Sequence, residues 1–240
     1  MKGIEIKEMV KKRYGTIAQQ GTSCCGTAGS CGTVNMGEAI SRKIGYTDRE
    51  LKQVPEGANL GLGCGNPLAF ASLKKGDVVI DLGSGAGVDC FIAANSVGAE
   101  GRVIGIDMTN EMIGKARENA LKGNYSNVEF RLGEIEKLPV ADKTADIVIS
   151  NCVINLSTDK PRAFQEAYRV LKPGGKLMIS DIVLLKELPA SIKGHVEAYV
   201  GCIAGAVLKS EYIDYIKAAG FDDVIILEES SYPVEFIADD

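Results

Sequence analysis

The 240-residue chain has one histidine, no long apolar stretch and no run of basic side chains, and each shortage removes a class of function. No apolar segment reaches the roughly 18–20 residues that a bilayer crossing needs, so no membrane association is expected. Met1 to Arg13 mixes Lys and Glu without an apolar centre, which argues against a secretory leader and for the cytoplasm. Lys and Arg number 27 and Asp and Glu 32, for a net charge of -5. The electrostatic footprint of a nucleic-acid partner is therefore missing, and the acidic excess favours a cationic ligand. His195, alone on a helical stretch, reads as a surface or capping residue rather than a general base. The seven cysteines are an odd number, so they cannot all pair within the chain. In a reducing compartment they read as ligands, nucleophiles or core residues rather than as a disulfide framework.

Two textures divide the chain. Residues 1–72 are dotted with glycine, serine and cysteine and form an N-terminal cap segment. Helices are expected over Glu5–Gln19, Asn35–Ile44 and Thr47–Gln53, the last opened by Thr47 with Glu50 at capping-box spacing. Gly21 to Thr33 and Gly57 to Pro67 read as loops. Residues 73–240 are regular. VVIDLG, RVIGID, VEFRLG, ADIVIS and KLMISDIVL are apolar runs of strand length. Helical stretches fall over Val88–Val97, Asn110–Lys122 and Lys160–Leu171, the last stopped by Pro173-Gly174-Gly175. Strands alternating with helices predict an α/β fold with a doubly wound, mostly parallel sheet covered on both faces. Further helices are expected over Pro189–Ala206 and Ser210–Ala219, where they would cover the substrate. Last strands are expected in DDVIILEES and YPVEFI.

The chemistry begins at Asp81-Leu82-Gly83-Ser84-Gly85-Ala86-Gly87, which leaves the first strand and opens a helix. Glycines there permit a tight turn and close approach of backbone to ligand. Asp107 ends the next strand, where a carboxylate can accept from ribose hydroxyls. Nicotinamide dinucleotides and S-adenosylmethionine share this logic. The spacing here is G-x-G-x-G rather than G-x-G-x-x-G. Asp81 would be awkward beside a pyrophosphate but suits an ammonium and sulfonium. Both details favour S-adenosylmethionine and disfavour an NAD-dependent oxidoreductase. Cys152 ends the fourth strand at the ligand edge, either as a buried apolar residue or beside the cofactor's methyl group. Cys64 in GLGCGNP and Cys202 in YVGCIAGA each have a glycine neighbour.

The glycine loop, the exit GEIEKLP of the third strand and YRVLKPGGKLMISD resemble the Rossmann-like class I methyltransferases. That resemblance puts Ile135 and Glu136 at the adenine. Over nearly the whole chain, YGTIAQQ, GLGCGNP, DLGSGAGVDC, GIDMT, SNCVINLSTDKPRAFQEAYRVLKPGG and YVGCIAGA resemble arsenite methyltransferases in that order. The resemblance implies Cys64, Cys152 and Cys202 as ligands of trivalent arsenic. It implies cofactor contacts from Asp81, Gly83, Ser84, Met108, Asn151 and Leu156, to which the loop reading adds Gly85, Gly87 and Asp107. The family has a further N-terminal cysteine; Cys31 is the expected fourth member of the catalytic set, with Cys24 and Cys25 competing for its redox or delivery role. Many members of the family continue past the last strand, so a chain ending at Asp240 reads as a short or truncated form. Cys90 is expected in the core.

Soft thiolates bind trivalent arsenic well, and a three-sulfur pyramid leaves the arsenic lone pair free to take a methyl group. Arsenic carries no proton that must leave, so no general base is required. Positioning of this kind is worth up to about 7–11 kcal/mol. The expected partners are arsenite or its thiol conjugates, S-adenosylmethionine with S-adenosylhomocysteine as product, and a reductant such as a thioredoxin or small thiol; the expected state is a monomer. Two other readings compete. A small-molecule C- or O-methyltransferase would need no cysteine trio. A non-enzymatic metalloid-binding or thiol-redox protein would need no cofactor loop.

Overall fold

The computed structural model describes residues 3–20, 36–189 and 202–231. Cys24, Cys25, Cys31, His195, the loop 21–33, YPVEFI and nearly all of the helix expected from Pro189 lie outside the described residues. Five strands form one parallel sheet: β1 (Val78–Leu82), β2 (Arg102–Asp107), β3 (Val128–Leu132), β4 (Ala145–Asn151) and β5 (Leu171–Ser180), in the order β3-β2-β1-β4-β5. This is the doubly wound α/β architecture. The unbroken apolar runs follow from it, because alternate side chains of each strand face two different helical layers. Val79, Val103 and Ile149 pack with α4 (Val88–Val97) and α5 (Asn110–Lys122), whereas Ile80, Ile104 and Val148 pack with α6 (Lys160–Val170) and Tyr212 of α7 (Lys209–Ala218).

The N-terminal segment supplies α1 (Gly3–Gln20), α2 (Met36–Lys43) and α3 (Asp48–Leu51). The capping box forms as its spacing demands: the Glu50 amide donates to Thr47 Oγ1, and the Thr47 amide to Glu50 Oε2 at 2.7 Å. Tyr46, Leu51, Ala58, Leu68 and Ala71 of this segment join the core that α4 builds on the sheet. Lys7 of α1 ties the segment to the exit of β3 through Glu134 and Glu136.

Three expectations are corrected. Helix α6 ends at Val170, and β5 starts at once, running through Pro173-Gly174-Gly175 instead of after it. Pairing steps from Ala145↔Leu171 to Ile147↔Lys176, so those residues form an irregularity inside the strand, with Gly174 at φ 79. Residues 202–206 form turns and bends rather than the end of a helix. DDVIILEES forms no strand: Ile225 and Leu227 are exposed between Asp222, Asp223, Glu228 and Glu229, and no neighbouring backbone in the described residues pairs with them. A short apolar run becomes a strand only where a partner completes its ladder.

The centre of the sheet has no spare room. A Cβ at Gly105 of β2 would lie 2.6 Å from Phe130 and 2.8 Å from Cys90 Sγ, and Phe130 is itself set edge-on against Phe91 at 5.7 Å between centroids. Gly105→Ala is expected to cost about 1–3 kcal/mol through overpacking, read as a lower urea midpoint with unchanged slope. An unchanged midpoint would show that the two aromatic rings yield without penalty.

Candidate active site

The chain leaves β2's outer neighbour, β3, and crosses back to β4 on the far side of β1. The carboxyl ends of β1 and β4 therefore part at the switch point where doubly wound sheets hold ligands. A cleft of about 1070 Å³, counted to its open mouth, lies there. Asp81, Gly83, Ser84, Gly85, Asp107, Met108, Ile135, Glu136, Asn151 and Leu156 all line it, as does Cys152. Of the expected cofactor residues Gly87 is not on the lining. It caps α4 at φ 98, and a Cβ there would sit 2.8 Å from both Phe91 and Phe130, so packing accounts for this glycine.

The loop is built to leave backbone exposed. Gly83 and Ser84 amides both donate to Ile106 O, at 2.8 and 2.9 Å. Gly83 and Gly85 stand at φ 70 and 51, where side chains are disfavoured. Asp107 accepts from the Gly85 amide at 3.0 Å and the Thr109 amide at 2.8 Å, which fixes its carboxylate at the cleft wall. Ser84 Oγ is buried on the lining with no partner among the described residues. A buried hydroxyl without a partner is costly and fits a polar ligand. Glu136 accepts from Ser157 Oγ at 2.7 Å.

The cleft is acidic. Burial, then the neighbouring Asp89 charge, pushes the Asp81 carboxyl well above the usual carboxylate range, against the Cys90 thiol that donates to it at 3.2 Å. Burial raises Asp89 to about 6, opposed by hydrogen bonds from Tyr46 and Asn151. Desolvation also raises Asp107, opposed by its backbone donors. The one cation among the described lining residues, Lys7, is already paired with Glu134 at 2.9 Å and Glu136 at 3.1 Å. The donor set thus fits the S-adenosylmethionine that the sequence resemblance implies, whose ammonium and sulfonium are positive. Cys90 is in the core, as expected from sequence, with its thiol turned to Asp81.

Cys64, Cys152 and Cys202, from distant stretches, gather in one apolar cluster at the end of β4, with the Cys64 and Cys152 sulfurs within 4.8 Å of each other. Cys202 Sγ donates to Cys152 O at 3.0 Å, and Cys64 Sγ to Ser180 O at 3.4 Å. Hydrogen bonds with the Cys202 and Cys64 thiols, then burial, push the Cys152 thiol well above its ordinary value. Val10, Leu156, Met108 and Ile182 wall the group with apolar surface. Cys152 and Cys202 both stand at positive φ, 59 and 64.

One side chain sets the Cys64 loop. Asn151 Oδ1 accepts from the Cys64 amide at 3.1 Å, while Nδ2 donates to Gly65 O at 2.8 Å, Tyr46 Oη at 2.9 Å and Asp89 Oδ2 at 3.2 Å. Tyr46 in turn donates to Asp89 Oδ1 at 2.6 Å. Gly63 and Gly65 have no room for side chains: a Cβ would meet Asn151 in the first case and overlap Ser180 Oγ in the second. The sequence reading missed Tyr46, Asp89 and Asp181. Asp181 follows β5 and accepts from Asn155 Nδ2 at 2.8 Å, its neighbour's amide at 3.0 Å and Tyr212 Oη at 3.0 Å. The rule that selected Asp81 and Asp107, an acid at a strand's carboxyl end, also selects Asp181. Nothing in the sequence marks Tyr46 or Asp89.

Comparison with known proteins bears on this arrangement. A curated arsenite methyltransferase of Halobacterium salinarum is 47% identical over 98% of this chain and 62% of its own length, and that of Aquipseudomonas alcaligenes is 36% identical over 93% and 64%. The chain therefore spans a little over three fifths of these relatives. A crystal structure of an arsenic (III) S-adenosylmethionine methyltransferase from Chlamydomonas reinhardtii matches with a TM-score of 0.62 and 37% identity, over 77% of this chain and 62% of that one. Residues 73–220, which hold the sheet, the glycine loop and one side of the cleft, match the family model described as a methyltransferase domain, and the chain belongs to that family.

Proposed function

We propose that this chain is an S-adenosylmethionine-dependent arsenite methyltransferase acting on thiolate-bound trivalent arsenic. The observation that carries the reading is the position of Cys152, which lines the cofactor cleft, accepts the Cys202 thiol on its carbonyl at 3.0 Å and has its sulfur within 4.8 Å of that of Cys64. A substrate held by these sulfurs would touch the cleft without needing a tunnel or a mobile carrier.

The roles follow from the contacts. Gly83, Ser84 and Gly85 offer backbone and an unpartnered hydroxyl to the cofactor's amino-acid end, Asp107 offers its carboxylate to the ribose, and Ile135 and Glu136 line the adenine end. The Asp81 and Asp89 pair carries negative charge chiefly through Asp89, because burial and the Asp89 charge favour the neutral form of Asp81. When bound, S-adenosylmethionine supplies an electrophilic methyl group. Cys64, Cys152 and Cys202 hold arsenic by sulfur alone and keep its lone pair free. With arsenous acid each thiol loses its proton to a departing hydroxide as water, so no general base is needed even though Cys152 is held as a thiol. Walls of Val10, Leu156 and Met108 exclude bulk water from the sulfurs. Asn151 holds the Cys64 backbone in place. Methylation raises the formal oxidation state of arsenic by two. We assign the return to the trivalent state to a thiol reductant, a thioredoxin or small thiol, with Cys31, Cys24 or Cys25 as the chain's own contribution.

Cys152→Ser and Cys202→Ser are each expected to abolish methylarsenical formation from arsenite, S-adenosylmethionine and thiol, while calorimetry shows cofactor binding within a few-fold of wild type. Full turnover in either variant would defeat the assignment and leave a methyltransferase of another acceptor.

The acids give a pH dependence with a definite sign. Asp89 has a folded-state pKa raised to about 6 from 3.8, so below about pH 6 it is mostly neutral and above it mostly charged. A cation in the cleft gains from the charged form. Cofactor affinity should rise by about tenfold from pH 5 to pH 7, the equivalent of one pKa unit, and Asp89→Asn should flatten that rise. The cofactor-free protein should show the opposite trend, because an acid whose folded pKa is raised destabilises the fold as pH climbs through the same window. A cofactor affinity independent of pH from 5 to 7 would remove Asp89 from the binding electrostatics.

Asn151→Ala would free the Cys64 and Gly65 backbone while sparing all three sulfurs. The expected result is a rise of about tenfold or more in the arsenite KM, the scale seen when a group orienting a ligand is lost. Unchanged kinetics would show that the loop holds itself.

A further inference from the structure

We propose that Cys64, Cys152 and Asp181 form a site for a thiophilic divalent cation, Zn²⁺ or Cd²⁺, which competes with the metalloid for the two sulfurs. The inference goes beyond the methyltransferase reading and stands without it, since it needs only the donor atoms. The two Sγ atoms and a carboxylate oxygen of Asp181 all lie within 4.8 Å of one another, and they make the one such cluster among the described residues. With zinc bond lengths of about 2.0–2.3 Å, ligand atoms around one ion stand about 3.4–3.8 Å apart. Closing from the observed spacing is a matter of side-chain rotation rather than backbone movement.

The donors are held by rigid supports. Cys152 directly follows β4, Asp181 directly follows β5, and the Cys64 backbone is pinned by Asn151. Asp181 accepts three hydrogen bonds, from Asn155, Ile182 and Tyr212. An ionised carboxylate offers about four acceptor positions, so one remains for an ion. Charge is also balanced. Two thiolates and a carboxylate carry three negative charges against the two of the cation. The Lys160 ammonium, buried on Asn155 O and Ser157 O, supplies one more positive charge nearby. Both thiols release their protons to solvent as they coordinate, and no electron moves.

The mixed donor set separates the two ligands. Trivalent arsenic takes sulfur alone and leaves the carboxylate idle. A borderline divalent ion accepts both thiolate and carboxylate in a tetrahedral set, with Cys202, beside Cys152, or water as the fourth ligand. Asp181 is therefore the residue that distinguishes cation from metalloid.

Cobalt(II) is the probe, because thiolate ligation gives it a charge-transfer absorption and tetrahedral coordination gives it visible bands. The expected result with the full chain, reduced, is stoichiometric Co²⁺ binding with a sulfur charge-transfer band, displaced by Zn²⁺ and by arsenite. Cys64→Ser and Cys152→Ser should remove the band. Asp181→Asn should weaken Co²⁺ by about tenfold or more, with arsenite affinity and cofactor affinity, which also reports folding, close to wild type. The proposal is overturned by no band at millimolar Co²⁺, by a band that persists in Cys152→Ser and so arises from other cysteines, or by Asp181→Asn binding Co²⁺ as tightly as wild type. A parallel loss of arsenite in Asp181→Asn also overturns it, by showing that the carboxylate does not discriminate. If wild type binds Co²⁺ as described but not arsenite, the metalloid reading falls and the cation site stands.

Discussion

The amide of Asn151 is the joint on which the arrangement depends. At the carboxyl end of β4, one side chain accepts from the Cys64 amide and donates to Gly65 O, Tyr46 and Asp89. It thereby fastens two pieces of the N-terminal segment to the strand end and to the first turn of α4. No other group of that size could do so, because an amide both donates and accepts within one plane. A carboxylate would repel Asp89, and an alkyl group would leave the Cys64 amide and Gly65 carbonyl unsatisfied. The glycines on either side of Cys64 then follow, since Gly63 and Gly65 are where the backbone must press against Asn151 and Ser180. The position of a sulfur is set here by a hydrogen-bonded loop and not by the sheet alone.

The same joint couples this loop to the charge of the cleft. Asp89 is buried with Asp81 close by, an arrangement that disfavours ionising both. Two hydrogen bonds, from Tyr46 and Asn151, offset part of that penalty at Asp89. The donors that keep the carboxylate available are thus the donors that tie down Cys64. A cation entering the cleft favours the charged form of Asp89 and so strengthens these bonds, because hydrogen bonds to an ionised acceptor are roughly twice as strong as neutral ones. The cleft and the Cys64 loop share one polar network.

How much of this was legible in the sequence divides along a physical line. Apolar runs of strand length alternating with helical stretches prescribe a parallel sheet, and β1 to β4, α4 and α5 form almost where the pattern places them. The glycine loop and the acids Asp81 and Asp107 were legible because backbone conformation and strand ends leave local marks. Cys64, Cys152 and Cys202 stood out through a family resemblance and not through spacing, since their meeting depends on how three remote segments pack. Tyr46 and Asp89 were illegible because a buried hydrogen bond across 43 residues has no periodicity. DDVIILEES pairs with nothing among the described residues for a related reason: strand formation needs a partner, and a segment's own composition does not say whether one is present. Pro173-Gly174-Gly175 read as a stop, but β5, outermost among the described strands, takes it up as an irregularity where its pairing to β4 steps from Leu171 to Lys176.

The two strained cysteines bear on why sulfur stands where it does. Five non-glycine residues in the described chain have φ in the left-handed region: Ser72, Asn124, Lys143, Cys152 and Cys202. The first three are exposed, where small adjustments cost little. Cys152 and Cys202 are buried, and a side chain in that conformation costs about 1–2 kcal/mol that glycine would avoid. Glycine is plentiful here, at 28 residues, and it occupies ten other left-handed positions. Both side chains fill an apolar cluster with Val10 and Leu156, which glycine would leave empty. What glycine also cannot supply is a thiol, and after β4 the Cys152 sulfur stands within 4.8 Å of that of Cys64 while its residue still lines the cleft. On the proposed function, the strain at Cys152 is the cost of having one residue face both the cofactor cleft and the arsenic, and the inference runs from the observed conformation to the chemistry.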